Sequence, residues 1–160
     1  MMTKIVAFTF SMLSLTLLAG CGGAESGNKT GKTSSGKDND TLTEFQLAHG
    51  IGPVTESIEI HTVNPELAQK GEGIFKTNCS ACHKMGERYV GPALGDVLDK
   101  RSPAFVMNMI LNPDGMVKKH PEARKMLAEF MTPMPNQNLN EEEARAIVEY
   151  LASVRQQQTK

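Results

Sequence analysis

The chain has 160 residues, 17 basic and 18 acidic side chains, and a formal net charge of −1 at pH 7. This length indicates one domain, and the balanced charge argues against a basic nucleic-acid-binding surface, so no nucleic-acid partner is expected. Three cysteines are an odd number, which argues against a framework built only from disulfides.

Residues 1–20 are typical of a secretory signal, because a charged start precedes an apolar stretch that is too short to cross a membrane comfortably. The stretch ends in Leu18-Ala19-Gly20-Cys21, which resembles the lipobox of bacterial lipoproteins. The resemblance implies cleavage before Cys21 and a diacylglyceryl group on its sulfur; an ordinary signal with a chance cysteine is the alternative. We therefore expect a protein of the cell envelope, anchored to a bacterial membrane through Cys21 and facing the periplasm or the exterior.

Residues 21–43 are mostly Gly, Ser, Thr, Lys, Asn and Asp. Such a segment cannot bury enough apolar area to offset its ordering entropy, which predicts a flexible linker behind the anchor. Residues 44–63 are interrupted by Gly50, Gly52 and Pro53. We predict that they form an extended segment packed over the main domain.

Four helices are predicted beyond residue 63, and no stretch indicates a pair of strands, so the expected fold class is all-α. Each helix has a cap or proline signal at its start: Asn64-Pro65, Ser102-Pro103, Pro121, and Asn140 with Glu143. The first three helices are expected to end near Asn78, Asn112 and Met131.

The chemistry lies in Cys79-Ser80-Ala81-Cys82-His83. Two thiols at this spacing can add across the two vinyl groups of one haem, and the adjacent histidine then lies under the iron. A redox dithiol would be expected in a βαβ context and a zinc site would need a second ligand pair; neither accompanies this motif. The pattern predicts one covalent haem c, bound at Cys79 and Cys82 and ligated by His83.

From about Asn64 to Arg155 the chain resembles the class I, mitochondrial-type cytochromes c, and small bacterial lipoprotein or periplasmic members in particular. Gly71 and Phe75 match residues of the family's first helix, and Tyr150 matches the aromatic of the last helix that crosses it. The resemblance implies a cytochrome c fold of about four helices around one haem, over residues 64–160. The long stretch between Ser102 and Met131 is richer in helix than in the shortest relatives, and the segment before Asn64 is added.

The loop Gly91-Pro92-Ala93-Leu94-Gly95 is similar to the Gly-Pro loop of that family. The resemblance implies that the carbonyl of Pro92 accepts the Nδ1 proton of His83 and so orients the ring. Arg101 follows this loop. By the same resemblance it pairs with a haem propionate, while a solvated side chain is the equal alternative.

Met134 lies between Pro133 and Pro135, where the family places its second axial ligand. A residue between two prolines cannot lie inside a regular helix, so a stiff loop is expected to point it inward. Met131 and a histidine such as His120 are the alternatives. The methionines interpreted as core packing are Met107, Met109, Met126 and Met131. The histidines interpreted as surface residues are His49, His61 and His120.

The expected function is a monomeric one-electron carrier, not an enzyme, that exchanges electrons with donor and acceptor proteins of a respiratory chain. A haem peroxidase, a gas or ligand sensor and a fixed subunit of a larger complex are the rival interpretations. Residues 89–95 and 132–138 resemble small cytochromes of anaerobically respiring bacteria, which implies a terminal reductase, such as nitrous oxide reductase, as acceptor. Four lysines are expected either to surround the haem edge and attract an acidic partner or to be scattered surface residues: Lys84, Lys100, Lys118 and Lys119.

Overall fold

The computed structural model describes residues 41–158. The predicted signal peptide, the predicted lipidation site Cys21 and most of the 21–43 linker lie outside them. The described residues form seven helices, and no strand is found among them: α1 Glu44–His49, α2 Pro65–Asn78, α3 Val97–Lys100, α4 Pro103–Leu111, α5 Pro113–Lys119, α6 Pro121–Phe130 and α7 Glu141–Gln158. Within this part of the chain, no helix has the length and apolar content needed to cross a membrane.

The four predicted helices are α2, α4, α6 and α7, which confirms the all-α class. Their starts follow the expected capping chemistry. The side chain of Asn64 accepts hydrogen bonds from Glu66 and Leu67. At the start of α7, Asn140 Oδ1 accepts from the Glu143 amide at 2.9 Å, and Glu143 Oε2 accepts from the Asn140 amide at 2.9 Å. Both interactions satisfy amide groups that the first helical turn cannot pair.

The prediction of extended chain for residues 44–63 is wrong at its start, where α1 forms. A capping box made by Thr43 and Gln46 stabilises this short helix. Gly50, with φ of 82°, then ends α1 in a conformation that favours glycine. The other two helices that were not predicted, α3 and α5, flank α4.

The centre of the fold is the crossing of α2 and α7. A Cβ atom at Gly71 would overlap the backbone carbonyl of Ala146, so this glycine allows the two helices to touch backbone to backbone. One turn further on, the rings of Phe75 and Tyr150 lie 5.5 Å apart at 52°. The buried stripe of α7 completes the core: Ala144, Ile147, Val148 and Leu151.

Residues 44–63, called here the N-terminal strap, are attached to α4 by Asn108, which is fully buried. Its Nδ2 donates to the carbonyls of His49 at 3.0 Å and Val54 at 2.9 Å, and its Oδ1 accepts from the Val54 amide at 3.1 Å. Asn112 adds a bond to the Ile51 carbonyl at 3.0 Å. The strap is thus part of the folded domain.

Two residues differ from their predicted positions. His120, expected at the surface, is fully buried: its ring packs edge-on against Phe105 and its Nε2 lies 3.2 Å from the carbonyl oxygen of Leu47. Met131, expected in the core, is 81 % exposed. It lies one residue past the end of α6 with φ of 55°, and this left-handed conformation turns the side chain away from the apolar stripe of that helix.

Candidate haem site

An apolar cavity of about 450 Å³ lies between the attachment motif and helices α4, α6 and α7. Its volume falls within the roughly 300–1,000 Å³ that is usual for cofactor pockets. The cavity brings together side chains from distant parts of the sequence: Cys79, Cys82, His83, Val90, Arg101, Met109, Met126, Phe130, Met134, Ile147 and Leu151. It is therefore the meeting point of the predicted site residues.

The attachment motif follows directly from the end of α2. Cys79 caps that helix, and its carbonyl accepts hydrogen bonds from the amides of Cys82 at 3.0 Å and His83 at 2.9 Å. This tight turn directs both thiols and the imidazole into the cavity. The two attachment points and the proximal ligand are therefore fixed by one short backbone turn.

Burial, and to a smaller extent the neighbouring Cys82, together raise the pKa of the Cys79 thiol to about 11. The cavity wall at this point is therefore unfavourable to a thiolate. A thioether carries no charge and no titratable proton, so it suits this wall better than a free thiol does.

The imidazole of His83 is oriented by the loop that follows it. Its Nδ1 lies 2.9 Å from the carbonyl oxygen of Pro92. A Cβ atom at Gly91 would lie 2.5 Å from Cε1 of the ring, so only glycine leaves room for the imidazole here. The Gly91 amide also donates to the Cys82 carbonyl at 2.9 Å, which holds the loop against the attachment motif.

Met134 enters the cavity from the loop between α6 and α7. It is half-buried and packs against the main core, and Pro133 and Pro135 line the cavity beside it. Met131 is not among the lining residues, because the left-handed turn at its position sends its side chain into solvent. Of the two methionines considered as the second axial ligand, Met134 therefore lines the cavity and Met131 does not.

The other side chains that could ligate iron are engaged in packing or hydrogen bonds of their own. Met109 and Met126 also line the cavity, but both are helical residues that pack against the cluster around Phe105 and Ala123. Both ring nitrogens of His120 are engaged: Nε2 faces the Leu47 carbonyl, and Nδ1 accepts from an amide at the start of α6. These contacts argue against bis-histidine ligation through His120.

Arg101 lies at the cavity wall with its guanidinium 2.6 Å from the carboxylate of Glu122 and 5.1 Å from the centre of the Phe105 ring. The Arg101 hydrogen bond and charge hold the pKa of the Glu122 carboxyl below its ordinary value. Arg101 is therefore an ion-paired residue at the cavity wall, and its pairing with a haem propionate stays a prediction. Among the four lysines, Lys84 packs over the Tyr89 ring and Lys100 pairs with Asp96.

The donor set fits a covalently bound haem. The walls are apolar, two thiols and an imidazole share one turn, and a thioether enters from a separate loop. Nitrogen and thioether donors of this kind are the axial ligands of cytochromes c. Because Gly91 has no side chain, the His83 imidazole has the space that it needs.

The sequence matches the family model for cytochrome c over residues 68–155. The cytochrome c-551 of Stutzerimonas stutzeri is 31 % identical over 94 residues, covering 58 % of this chain and 85 % of that protein. The cytochrome c2 of Rhodopseudomonas palustris is 25 % identical over 139 residues, covering 71 % and 96 %. The solved structure of a cytochrome c from Rhodothermus marinus is similar with a TM-score of 0.67 and 45 % identity, covering 70 % of this chain and 97 % of that one.

The helical fold and the cavity with its attachment motif define a class I cytochrome c, and the chain belongs to the cytochrome c family. It follows that the protein is an electron carrier with one covalent haem c.

Sequence reasoning did not identify every residue that shapes this site. Val90 and Phe130 form part of the cavity wall, and Arg88 connects the loop that carries Val90 to the end of α6, where Phe130 lies. No local pattern marks Arg88, because its partners lie 41 residues away. Gly91 belonged to a predicted loop, but its role as the space for the His83 ring depends on three-dimensional packing.

Proposed function

We propose that this cytochrome c carries single electrons through a haem attached at Cys79 and Cys82, with His83 and Met134 as axial ligands of the iron. The observation that supports this assignment is that all four side chains line one cavity, although Met134 belongs to a different loop. When bound, the haem supplies an iron that alternates between Fe(III) and Fe(II), at a potential raised by thioether ligation.

The residues of the chain favour electron transfer over substrate chemistry. His83 donates its Nδ1 proton to the Pro92 carbonyl, which leaves Nε2 free to bind metal and strengthens it as a ligand. Met134, which lines the cavity between Pro133 and Pro135, would occupy the iron position that a substrate or gas would need. The apolar walls disfavour water beside the iron.

Carbon monoxide distinguishes this proposal from a ligand sensor or a peroxidase. The reduced protein is expected to bind no carbon monoxide at neutral pH, since Met134 occupies the sixth position, and a redox titration should follow a one-electron curve. Rapid, stoichiometric carbon monoxide binding by the intact protein would show an open iron and contradict the proposal.

We further propose that partner proteins dock beside the cavity at an apolar patch formed by Tyr89, Val90 and Met131. These are three of the exposed large apolar side chains among the described residues. Contacts of Arg88 with Glu129 bring the two segments that carry them together. Val90 also lines the cavity, so a partner at this patch would be close to the redox centre.

The docking proposal is tested by electron self-exchange, measured from NMR line broadening in mixed oxidised and reduced samples. Tyr89→Glu should slow self-exchange at least about tenfold by placing a desolvated charge in the contact. Leu47→Glu is the matched control, because Leu47 is similarly exposed but lies on α1. Equal rates in both variants would contradict docking at the patch.

As the acceptor we propose a terminal reductase, with nitrous oxide reductase as the specific candidate. The support is the resemblance of residues 89–95 and 132–138 to small cytochromes of anaerobically respiring bacteria. The reduced protein should be reoxidised by purified nitrous oxide reductase in the presence of its substrate. Absence of reoxidation, with another purified oxidase active in the same assay, would exclude this acceptor.

We also propose that the protein is a lipoprotein held at a bacterial membrane through Cys21, on the periplasmic or outer side. The support is the lipobox-like sequence before Cys21 and the polar composition of the linker that follows. Two or more acyl chains anchor a protein stably, whereas one chain binds only marginally. Wild type should therefore stay with membranes through a salt wash, and Cys21→Ser should not. Release of wild type by salt would contradict the lipid anchor.

A further inference from the structure

Arg88 connects the loop after the attachment motif to the end of α6. Its Nη2 donates to the backbone carbonyl of Glu129 at 2.8 Å, and its Nη1 lies 3.4 Å from the carboxylate of the same residue. The guanidinium also lies over the ring of Phe130, 4.3 Å from the ring centre. One side chain thus makes three kinds of contact with two consecutive residues.

The carbonyl of Glu129, which accepts from Arg88, lies at the end of α6, where the helix supplies no donor of its own. The last four carbonyls of an α-helix lack intrahelical donors, and a positive charge there also interacts favourably with the helix dipole. Glu129 is the second-last residue of α6, and Met131 follows in the left-handed conformation. Arg88 therefore fixes the helix end at the point where the loop carrying Met134 begins.

The loop that carries Arg88 is held by backbone hydrogen bonds. In the loop from Lys84 to Gly95, the Gly91 amide donates to the Cys82 carbonyl of the attachment motif at 2.9 Å. Two further bonds close the loop on itself, from Leu94 to Lys84 and from Gly95 to Met85, each at 2.9 Å. Val90 lies two residues after Arg88, and the ring of Phe130 lies under the Arg88 guanidinium. Both Val90 and Phe130 line the cavity. Arg88 accordingly joins the wall that holds His83 to the wall from which Met134 enters.

We propose that Arg88 is a positioning residue that holds the Met134 loop closed over the iron. The inference rests on the proposed ligation by Met134. Loss of the Arg88 contacts lets the loop open more often, so external ligands compete more successfully with Met134. The apparent affinity of such a ligand is proportional to the fraction of molecules in which the loop is open.

Imidazole binding to the oxidised holoprotein is the appropriate measurement, since imidazole competes with Met134 and its binding removes the sulfur-to-iron absorption band. Arg88→Ala is expected to bind imidazole roughly tenfold more tightly than wild type, the equivalent of about 1.4 kcal/mol of lost loop closure. Arg88→Lys should show a smaller increase, because a single ammonium cannot both stack on Phe130 and reach the Glu129 carbonyl as the planar fork does.

Arg124→Ala is the matched control. Arg124 similarly donates to a carbonyl at a helix end, that of Lys118 at the end of α5, but this end does not lead into the Met134 loop. If Arg124→Ala raises imidazole affinity as much as Arg88→Ala, the effect is general destabilisation and the inference is wrong. An unchanged affinity in Arg88→Ala also overturns it.

Different results would overturn the ligation by Met134 and the positioning role of Arg88. A wild-type protein without a sulfur-to-iron band would show that Met134 is not a ligand, which overturns both. A wild type with the band, but with an Arg88→Ala variant of unchanged imidazole affinity, overturns only the positioning role. Should Arg88→Ala not accumulate as holoprotein, the comparison of Arg88→Lys with wild type decides, and equal affinities there reject the inference.

Discussion

Two glycines of α2, Gly71 and Gly73, lie two residues apart in opposite surroundings. A Cβ atom at Gly71 would overlap the carbonyl of Ala146, while one at Gly73 would meet nothing within 4 Å. We expect Gly71→Ala to lower the free energy of unfolding by on the order of 1–3 kcal/mol, because the helices must separate to admit the methyl group. Gly73→Ala should instead raise it by roughly 0.5–1 kcal/mol through helix propensity. Urea unfolding of the oxidised protein measures both, and equal effects would contradict the close crossing.

The ion pair between Arg101 and Glu122 predicts a specific pH dependence. Arg101 lowers the pKa of the Glu122 carboxyl below its ordinary value of 4.5, so the folded state favours the ionised form. The resulting stabilisation is present above pH 4.5 and is lost as the pH falls through the lowered pKa. Because solvent screens this pair, the effect is small.

Glu122→Gln should therefore unfold at a lower temperature than wild type at pH 7, and the difference should close as the pH falls below 4.5. Thermal unfolding followed by circular dichroism at several pH values measures it. A temperature difference that is constant from pH 7 to pH 3 would show that the carboxylate charge plays no part.

At the scale of elements, the long helices were predictable because their signals are local. An asparagine or serine cap next to a proline, or a capping box, determines where α2, α4 and α7 begin. The start of α6 was predicted from Pro121 alone. Its cap is the ring of His120, whose burial depends on a contact with the distant Leu47.

The short helices were harder to predict. The capping box at Thr43 is visible in the sequence, but α1 has only six residues, and the two glycines that follow it indicate extended chain. Asn112 is both the C-cap of α4 and the N-cap of α5, so one residue marks the end of one helix and the start of the next. The exposure of Met131 likewise depends on a left-handed residue that hydrophobic periodicity does not reveal.

Asn108 connects the N-terminal strap to α4 through three hydrogen bonds. Asn108→Ala would leave the amide and carbonyl of Val54 and the carbonyl of His49 without their side-chain partner, and the site is buried. We expect a loss of on the order of 3 kcal/mol in the free energy of unfolding. Thr43→Ala, which removes only the cap of α1, should cost about 1 kcal/mol. Denaturant unfolding distinguishes the two, and a smaller loss at Asn108 than at Thr43 would contradict this account of the strap.

For the whole molecule, the attachment motif alone was sufficient to predict the cofactor, because its chemistry requires only five consecutive residues. The shape of the cavity could not be predicted in the same way. Its walls come from the helices α2 to α7 and from the loops that follow α2 and α6, and Arg88, which connects two of these walls, bonds to a partner 41 residues away.

The most direct test of the whole account is the sulfur-to-iron absorption band of the oxidised protein in Met134→Ala and Met131→Gly. Met134→Ala should lose the band, bind carbon monoxide when reduced and have a lower potential, since thioether ligation raises it. Its haem should nevertheless resist extraction into acidified organic solvent, because Cys79 and Cys82 hold it covalently.

Met131→Gly should keep the band, since this residue is exposed and glycine readily adopts its left-handed conformation. A band that persists in Met134→Ala and disappears in Met131→Gly would contradict the assignment of the axial ligand, and with it the view of how the cavity closes over the iron.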